Sequence, residues 1–478
     1  MPAPRNALLA AVGVFAAACT QQQPSSAIEL KPRYRAAVAA ATLESELTND
    51  GRVAVLAPEG GAWETAVAVS PTDPNIVLAT SHIELDYKTG DYVARIFRST
   101  DGGRTYDGGR IPPMIIEGVE YKSHYDPVLT FARNGTAYFT AVHAWPNVYF
   151  ATRYALVVHR STDGGQTWVP SLISRHDPAE GAQKALDYPD KEWIAVDNSG
   201  GPNDGHVYLV WIHIDSRFTA PADREKRLTL RLVRSTDGGV TWSAPISLGS
   251  HVMPYLTVGA DGEVHLATAD TTRWELRTSR DGGLTFDAPK TIAPIAVANG
   301  TLPHTKYSVI PHHHLVADVS HGRGRGNLYF IYPSGSGADE KQRPASVKFR
   351  RSTDGGATWS APILLSSAPE LGRDAHMPSI AVDMVTGEVV ASWLDRRDDP
   401  ENKLAKVFAA RSRDGGATFL QPQPLTPAFS MGGPWIGDYN NTAANGGTHV
   451  AAFSDEGGHF STARAVWPPS TRRRSVGK

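Results

Sequence analysis

The chain has 478 residues and an almost balanced charge, with 47 lysines and arginines against 49 aspartates and glutamates. Such a balance provides no broad basic face, so neither nucleic acid nor an anionic membrane surface is an expected partner. The sequence also contains 44 glycines and 34 prolines. This composition is typical of many short strands joined by tight turns.

The N-terminal segment has the pattern of a secretory signal. Arg5 precedes an apolar run from Leu8 to Phe15, and three alanines lead to Cys19, the single cysteine of the chain. The pattern resembles a bacterial lipobox, which implies that Cys19 is lipidated and that the protein is exported to the cell envelope, at the outer membrane or the cell surface. Ordinary cleavage after the small residues, giving a secreted protein, is the alternative.

No later run of about 20 apolar residues follows, so the sequence predicts no membrane contact beyond that anchor. With Cys19 lipidated, the folded part would hold no thiol, which excludes disulfides and cysteine catalysis. We expect four segments: the signal at 1–19, a tether with a short helix at 20–50, the folded domain at 51–467 and a disordered basic tail at 468–478.

A short phrase recurs six times along the chain. Its copies are "RSTDGGRTY" from Arg98, "RSTDGGQTW" from Arg160, "RSTDGGVTW" from Arg234, "TSRDGGLTF" from Thr278, "RSTDGGATW" from Arg351 and "RSRDGGATF" from Arg411. Each copy suits a hairpin turn, because the aspartate accepts backbone N–H groups and the glycines permit positive φ. Six copies cannot all be active sites, so the phrase is predicted to be structural.

The phrase matches the Asp-box, or BNR repeat, and through it the chain resembles the sialidase-like (neuraminidase) β-propeller superfamily. In that family the box lies at the periphery of each blade, away from the central site. The resemblance therefore implies a structural role for the aspartates of the six boxes, which are Asp101, Asp163, Asp237, Asp281, Asp354 and Asp414.

A second repeat counts the blades. A strand, a β-turn and a partner strand, as in "PYLTVGADGEVHLAT", recur at Thr65, Pro127, Trp193, Pro254, Leu315, Pro378 and Ile436. The intervals are 62, 66, 61, 61, 63 and 58 residues, whereas the intervals between the box serines vary from 44 to 74. The pattern predicts an all-β fold, a single propeller of seven four-stranded blades. Six blades, the number in sialidases, is the alternative.

The last of these units lacks a fourth strand, while an unassigned strand, "RVAVLA", precedes the first unit at residues 52–57. We expect this N-terminal strand to complete the last blade, because ring closure of this kind removes a free sheet edge.

Candidate functional residues follow from the blade repeat. The innermost strand of a propeller blade lines the central channel, and its start faces the same mouth as the loop between the second and third strands; small-molecule sites favour such mouths. At the strand starts stand Trp63, Glu64, His124, Tyr125, Asp126, Tyr188, Asp190, Lys191, Glu192, His251, His312, His313, His314, His376, Trp435, Asp438 and Tyr439. In the loops stand His82, Glu84, Asp86, His143, Trp145, His213, Asp215, Arg217, Asp270, Arg273, Asp395, Arg396, Arg397 and Asp455.

This inventory suits a glycan, the expected partner, because aromatic faces stack on sugar rings, carboxylates bind hydroxyls and arginines bind the carboxylate of an acidic sugar. The predicted substrate-binding residues are Trp63, Trp145, Trp435, Asp438, Arg217, Arg273, Arg396 and Arg397. The repeated histidines also fit strand caps bonded to backbone groups, and "LDRRDD" fits a solvated loop.

No cofactor and no metal are predicted. A divalent metal held by His124, His251, His312 and His376 from different blades is an alternative. The three histidines of "PHHHL" cannot share one ion, because adjacent strand residues point to opposite faces.

The resemblance to sialidases implies a glycosidase with an arginine triad, an aspartate acid/base and a tyrosine–glutamate nucleophile pair. The best matches by position are Arg217, Arg273 and Arg397 for the triad, Asp126 for the acid/base, and Tyr439 with Glu64 for the pair. Arg110 stands in an Arg-Ile-Pro phrase like that of the family's first arginine. It follows the first box rather than preceding it, so the role is not carried over.

Two other hypotheses about the function remain. Several uronic-acid polysaccharide lyases resemble seven-bladed propellers with His and Tyr as base and acid, and His124, His143 and Tyr188 fit that pattern with Arg217 as the neutralising arginine. A surface lipoprotein that binds a glycan or a protein without catalysis would use the same mouth, since fold alone licenses no chemistry. The sequence does not define the oligomeric state.

Overall fold

The computed structural model describes residues 53–466 except 87–90, 112–113, 122, 148–150, 184, 271, 296–299, 302–307, 310–311, 336–344, 367–371, 431–436 and 456. Within these residues the chain forms seven antiparallel blade sheets, six of four strands and one of five, which confirms the seven blades predicted from the second repeat. The signal, Cys19, the tether and the basic tail lie outside the described residues. No helix in the described part of the chain combines the length and the apolar character needed to cross a bilayer.

The first three blades follow one another along the chain, each with its strands in order from the axis outwards. Blade 1 contains β2 (Ala62–Val69), β3 (Val77–Asp86), β4 (Asp91–Ser99) and β5 (Asp107–Arg110). Blade 2 contains β8 (Ser123–Phe131), β9 (Ala137–Trp145), β10 (Arg153–Ser161) and β11 (Val169–His176). Blade 3 contains β12 (Asp187–Val196), β13 (Val207–Asp215), β14 (Leu228–Ser235) and β15 (Ile246–Ser247).

The next three blades repeat the plan. Blade 4 contains β16 (Val252–Val258), β17 (Val264–Ala269), β18 (Arg273–Ser279) and β19 (Lys290–Pro294). Blade 5 contains β22 (His314–Ala317), β23 (Leu328–Gly335), β24 (Ala345–Ser352) and β25 (Ile363–Leu364). Blade 6 contains β26 (Ala375–Val382), β27 (Val389–Asp395), β28 (Leu404–Ser412) and β29 (Gln423–Pro424), and β30 (Phe429–Ser430) also pairs with β28.

Blade 7 closes the ring with strands from both ends of the chain. It contains β31 (Asn441–Asn445), β32 (Thr448–Ser454), β33 (Phe460–Val466) and, on its outer edge, β1 (Val53–Ala57). Val55 pairs with Ser461 in this sheet, which confirms the predicted exchange. Inner strand β31 also contacts β2, so the seventh blade packs against the first.

Short elements decorate the connections. They are the hairpins β6 (Met114–Ile116) with β7 (Val119–Tyr121) and β20 (Gly300–Thr301) with β21 (Ser308–Val309), a 3₁₀ turn at Pro221–Asp223 and helix α1 at Arg224–Arg227.

Burial falls from the axis to the rim. Inner strand β8 is buried along almost its whole length, whereas outer strand β11 is mostly half-buried or exposed. A strand buried on both faces is expected to be apolar throughout, yet the inner strands carry charged residues at their starts. Those charges mark the site described below.

Each described Asp-box is a closed hydrogen-bonded turn between the third and fourth strands. In the box of blade 5 the Ser352 hydroxyl donates to Asp354 Oδ1 at 2.7 Å, the Gly356 N–H donates to Ser352 Oγ at 2.8 Å, and the Thr358 N–H donates to Asp354 Oδ1 at 2.9 Å. The serine–aspartate bond recurs in all six boxes.

The boxes also join neighbouring blades, a role that the sequence pattern did not reveal. The guanidinium of Arg98 in blade 1 donates to the carbonyl oxygen of Gly164 in the box of blade 2. Arg234 and Arg351 make the same contact with the boxes of blades 4 and 6, and Arg464 of blade 7 donates to Gly102 in the box of blade 1. The boxes therefore fasten the ring at the end of the blades opposite to the strand starts.

Candidate functional site

A group of buried charged residues lies at the starts of the first three inner strands. Glu64 of β2, Asp126 of β8, and Asp190 and Glu192 of β12 are 0–6% exposed, and we call these four residues the axial carboxyl cluster. Lys191, which is 1% exposed, accompanies them. Residues of three blades thus meet at the axis, as the repeat predicted for Glu64 and Asp126.

A shared backbone irregularity presents these residues. In five inner strands the register shifts at the same place, and one residue there adopts a left-handed conformation: Glu64, Asp126, Lys191, Met253 and Met377, with φ between 49° and 55°. Such a conformation costs a non-glycine residue about 1–2 kcal/mol and is common where function needs it. The bulge redirects a side chain that would otherwise alternate across the sheet.

Asp126 is the hub of the axial carboxyl cluster. Glu64 and Asp190 each share a side-chain hydrogen bond with Asp126, and the Lys191 N–H donates to Asp126 Oδ2 at 3.0 Å. Two carboxyl groups that bond directly to a third must carry protons or repel it strongly. The geometry therefore places two protons around one carboxylate.

The pKa shifts agree with this distribution. Burial, followed by the charge of Asp126, raises the pKa of Glu64 and of Asp190. Burial acts to raise the pKa of Asp126 as well, but the hydrogen bond from Glu64 and the charge and N–H of Lys191 outweigh it, and the net pKa is lowered. Burial and Asp126 also raise the pKa of Glu192. Asp126 is thus the most acidic member of the cluster, and its neighbours hold their protons more tightly.

Tyr439 of the last blade reaches the same point. The Lys191 ammonium lies 3.7 Å from the centroid of the Tyr439 ring, and His312 stacks on that ring at 5.2 Å. The Tyr439 hydroxyl donates to the carbonyl oxygen of Pro127 at 3.4 Å. Burial, followed by the charges of Glu64 and Asp126, raises the pKa of Tyr439, so the phenol is held protonated. Asp438, 7% exposed, adds a further carboxyl group nearby.

Two groups beside Asp126 have spare bonding capacity. Lys191 Nζ and both carboxyl oxygens of Glu192 are buried and have no hydrogen-bond partner on another residue in the described part of the chain. Burying such groups is costly unless they are paired. The sequence predicts Asp190, Lys191 and Glu192 at a strand start but gives no role for them. Their position just before Trp193, the anchor of the third unit, is the signal that could have identified them as site residues.

The members of the axial carboxyl cluster are at most 6% exposed. A cavity of about 250 Å³ lies between the outer strands of blade 6, lined by residues such as Arg411, Leu420 and Gln423. It has no carboxyl group in its lining, so it does not compete with the axial carboxyl cluster as a site of chemistry.

The predicted arginine triad is not assembled by the contacts described here. Arg217 pairs with Asp215 through Nη2, Arg273 pairs with Glu275 at 2.7 Å, and Arg397 pairs with Asp395 at 2.6 Å. Each arginine is thus neutralised by a carboxylate of its own blade. Arg396 is fully buried and lies 3.5 Å from Asp374, which gives it a place inside blade 6.

The predicted aromatic residues differ in exposure. Trp63 is half-buried and makes edge contacts with His82 and Tyr92. Trp145 is 37% exposed and lies under the Arg153 guanidinium, 5.4 Å from its ring. Trp435 lies outside the described residues. Of the two tryptophans within the described residues, Trp63 is the one next to a member of the axial carboxyl cluster, Glu64.

His124 and His143, predicted for a lyase, pack against each other with ring centroids 4.3 Å apart, and both are buried. The His124 Nδ1 accepts the Ala94 N–H, and His143 Nδ1 lies 3.3 Å from the carbonyl oxygen of Tyr121. Tyr188 stacks on Tyr154 at 5.1 Å. These contacts hold the two histidines within the sheets, in agreement with the alternative prediction that the histidines bond to backbone groups.

The alternative prediction, a metal site formed by His124, His251, His312 and His376, is wrong within the described residues, because these histidines do not share one site. His124 contacts His143, His251 lies 2.6 Å from an Arg277 nitrogen, and His312 stacks on Tyr439, so the histidines serve separate neighbourhoods. His376 is buried, with no hydrogen-bond partner for its ring within the described ranges. In the described part of the chain, the group of residues whose ligand atoms lie within 4.8 Å of one another is His176, Asp187 and His213.

Seven antiparallel blades, six of which carry an Asp-box turn, define a seven-bladed β-propeller. No protein family model matches the chain. A stretch of 217 residues is 24% identical to the xyloglucanase Xgh74A of Acetivibrio thermocellus, covering 43% of this chain and 22% of that protein. The chain therefore spans less than a quarter of the length of this curated relative.

Several solved glycosidase structures are similar in fold. NanB sialidase from Streptococcus pneumoniae is 10% identical with a TM-score of 0.45, over 82% of this chain and 84% of that one. A leech intramolecular trans-sialidase is 12% identical with a TM-score of 0.47, over 79% and 70%. An alpha-L-arabinanase from Penicillium chrysogenum is 15% identical with a TM-score of 0.44, over 72% and 90%. At these values the similarities concern the fold and assign no activity.

Proposed function

We propose that the protein is a glycoside hydrolase whose acid–base centre is the axial carboxyl cluster. The observation that carries this proposal is the hydrogen-bonded trio of Glu64, Asp126 and Asp190, in which the pKa values of Glu64 and Asp190 are raised and the pKa of Asp126 is lowered. Carboxyl groups whose environments push their pKa values apart are the usual division into acid and base in glycosidases.

The roles follow from the protonation states. Glu64, with its raised pKa, donates a proton to the glycosidic oxygen as the bond breaks. Asp126, with its lowered pKa, either attacks the anomeric carbon or takes a proton from the attacking water. This reverses the roles expected from the sialidase resemblance, in which Asp126 was the acid/base and Glu64 assisted Tyr439. The raised pKa of Tyr439 favours a hydrogen-bond donor over a nucleophile there.

The short distance between the carboxyl groups of Glu64 and Asp126 means that the substrate must separate them. Retaining enzymes separate their two carboxyl groups by about 5 Å and inverting enzymes by more, whereas a direct hydrogen bond joins Glu64 to Asp126. A sugar must therefore enter between them and break that bond. Lys191 and Glu192, whose polar atoms have no partner on other described residues, are the groups that would bind its hydroxyls.

The contacts give no preference for an acidic sugar over a neutral one. An acidic substrate would have to displace Asp215, Glu275 or Asp395 from the arginine that each one neutralises. Acidic glycans, expected from the resemblance, and neutral glycans must therefore both be tested as substrates.

A second candidate, glycan binding without catalysis, is supported by a specific observation. Every member of the axial carboxyl cluster is at least 94% buried, which suits a rigid platform whose ligand meets only the mouth. Lyase chemistry by His124, His143 and Tyr188 stays a prediction of the sequence, since their contacts are packing contacts within the sheets.

The test is a cleavage screen of the purified protein. Aryl glycosides of neutral and acidic sugars, arabinan, xyloglucan and uronic-acid polysaccharides are incubated with it, and reducing ends and unsaturated-uronate absorbance are followed. Hydrolysis of one class is expected, falling at least about 100-fold in Glu64→Gln and Asp126→Asn. The box variant Asp354→Asn, at the opposite end of blade 5, is the matched control and should keep the activity.

The outcomes separate the candidates. Unsaturated products instead of reducing ends would replace hydrolysis by elimination. Retention of glycans on an array without any cleavage would establish binding alone. Full activity in Asp126→Asn would remove the axial carboxyl cluster from the mechanism.

A further inference from the structure

We infer that His176, Asp187 and His213 form a binding site for a divalent transition metal, with Zn²⁺ as the best-fitting ion, between blades 2 and 3. His176 ends β11, Asp187 begins β12, and His213 lies near the end of β13. The site lies at the mouth end of these strands. It is separate from the axial carboxyl cluster and does not depend on the proposed hydrolase activity.

The three side chains converge on one point. Asp187 Oδ2 lies 3.1 Å from His176 Nδ1 and 3.5 Å from His213 Nε2. In a tetrahedral zinc site with bonds of about 2.0–2.1 Å, neighbouring ligand atoms stand about 3.3 Å apart. These two separations bracket that value, and all three ligand atoms lie within 4.8 Å of one another, so small side-chain shifts would let one ion reach all three.

The donor set selects the ion. Two imidazoles and one carboxylate suit Zn²⁺ and its neighbours in the first transition row, whereas Mg²⁺ and Ca²⁺ take oxygen ligands almost alone. Three protein ligands leave the fourth position of the tetrahedron for water or a bound molecule.

The surroundings support ligation. His176 Nε2, the nitrogen that faces away from the carboxylate, lies 3.1 Å from the Ser174 hydroxyl, and such a partner fixes the ring orientation of a metal-bound histidine. The side chains of His176 and His213 are 5% and 8% exposed, while that of Asp187 is 35% exposed. Two buried imidazoles and one solvent-facing carboxylate give an ion both a shaped site and an entry path.

A bound ion would cross-link two blades. His176 belongs to the outer strand of blade 2, and both other ligands belong to blade 3. Binding to the folded state alone stabilises that state in proportion to the logarithm of the metal concentration. The site would therefore cross-link these blades at the mouth, at the end opposite to the Asp-box of blade 3, where Tyr138 of blade 2 donates to the carbonyl oxygen of Gly238.

The experiment is a titration of the chelator-treated full-length protein with ZnCl₂, followed by calorimetry, elemental analysis and thermal unfolding. One Zn²⁺ per chain and a rise in the unfolding temperature are expected. Asp187→Asn and His213→Ala should each weaken binding at least tenfold. His321→Ala, which removes an exposed histidine from a turn of blade 5, is the control and should bind as the unmodified protein does.

Loss of folding in a variant does not block the test, because Co²⁺ bound to the unmodified protein reports its own coordination. Intense visible absorption typical of a tetrahedral Co²⁺ site, displaced by Zn²⁺, is the expected spectrum. Absence of stoichiometric metal uptake, an octahedral cobalt spectrum, or unweakened binding in both Asp187→Asn and His213→Ala would overturn the assignment.

Discussion

At the Asp-box end of the first six blades, glycines occupy the left-handed backbone positions, whereas at the axial end of the first three blades the charged residues Glu64, Asp126 and Lys191 do. Gly355 and Gly356 of the fifth box have φ of 65° and 84°, while Glu64 and Asp126 have φ of 55°. Glycine adopts this conformation without steric penalty, and a residue with a Cβ does not. The boxes thus use the least costly residue for a turn, and the axis keeps a strained one where a carboxyl group is needed.

The two ends also treat their carboxylates differently. The hydroxyl and N–H of Thr358 and the hydroxyl of Ser352 lower the pKa of Asp354 to about 2, so this box carboxylate is ionised and satisfied. At the axis, burial raises the pKa of Glu64, Asp190 and Glu192 and leaves polar groups without partners. The repeated aspartates hold the fold together, and the unrepeated carboxyl groups stay available for chemistry.

The largest expected effect tests the charge balance at the axis. Lys191→Met removes the buried cation beside ionised Asp126, and leaving a buried charge without its partner costs about 3–5 kcal/mol. Urea unfolding at pH 7 should show a loss of that size. Lys403→Met, which breaks an exposed ion pair with Glu401, should leave the unfolding midpoint unchanged; an equal midpoint for Lys191→Met would mean that Asp126 is not ionised.

Acid stability separates buried histidines from the box aspartates. Burial lowers the pKa of His143 from 6.5 to about 4. Between pH 6.5 and pH 4, His143 is protonated in the unfolded chain but not in the folded protein. The free energy of unfolding therefore decreases as the pH falls through this range, by about 3 kcal/mol for this histidine. Asp354 stays ionised in the folded protein over that range, and because its pKa in the unfolded chain is about 3.9, its own contribution is lost mainly below pH 4.

Urea unfolding of the unmodified protein and of His143→Gln at pH 6.5, 5 and 4 measures this contribution. The variant should show a shallower decline with acid, and Asp354→Asn should decline as steeply as the unmodified protein. The reverse pattern would assign the acid sensitivity to the boxes.

The smallest effect is expected at a single box. Asp354→Ala removes the acceptor of the Thr358 N–H and hydroxyl, and one turn stabilised by exposed hydrogen bonds contributes about 1 kcal/mol. Asp261→Ala, in an exposed turn of blade 4, is the control. A loss of stability as large as that of Lys191→Met would contradict the view that each of the six boxes contributes only a small part of the free energy of unfolding.

The propeller and its closure were predictable because they are periodic. Near-equal spacing of Pro127, Pro254 and Pro378 revealed the units, and the missing fourth strand of the last unit revealed the closing strand at Val53–Ala57. The bridging of blades by Arg98 and Arg464 was not predictable, because a contact between a side chain and a neighbouring blade leaves no trace in the spacing.

The site was predictable in part for the same reason. Glu64 and Asp126 each stand one residue before an anchor, so the repeat brought them together. Glu192 stands one residue before the anchor Trp193, so the same spacing places it at the axis, although the sequence assigned it no role. Asp190 is distinguished by its hydrogen bond to Asp126 and by burial rather than by spacing. The arginines were grouped by equivalent loops, but charge pairing within each loop is a local effect that the blade repeat does not encode.

The protonation of the axial carboxyl cluster can be measured directly by infrared spectroscopy of carboxyl groups at pH 7. The account predicts absorption from protonated carboxyl groups in the unmodified protein, reduced in Glu64→Gln and in Asp190→Asn. Asp126→Asn should remove none of it. A spectrum without protonated carboxyl groups, or one in which Asp126→Asn alone removes the absorption, would contradict the assignment of acid and base.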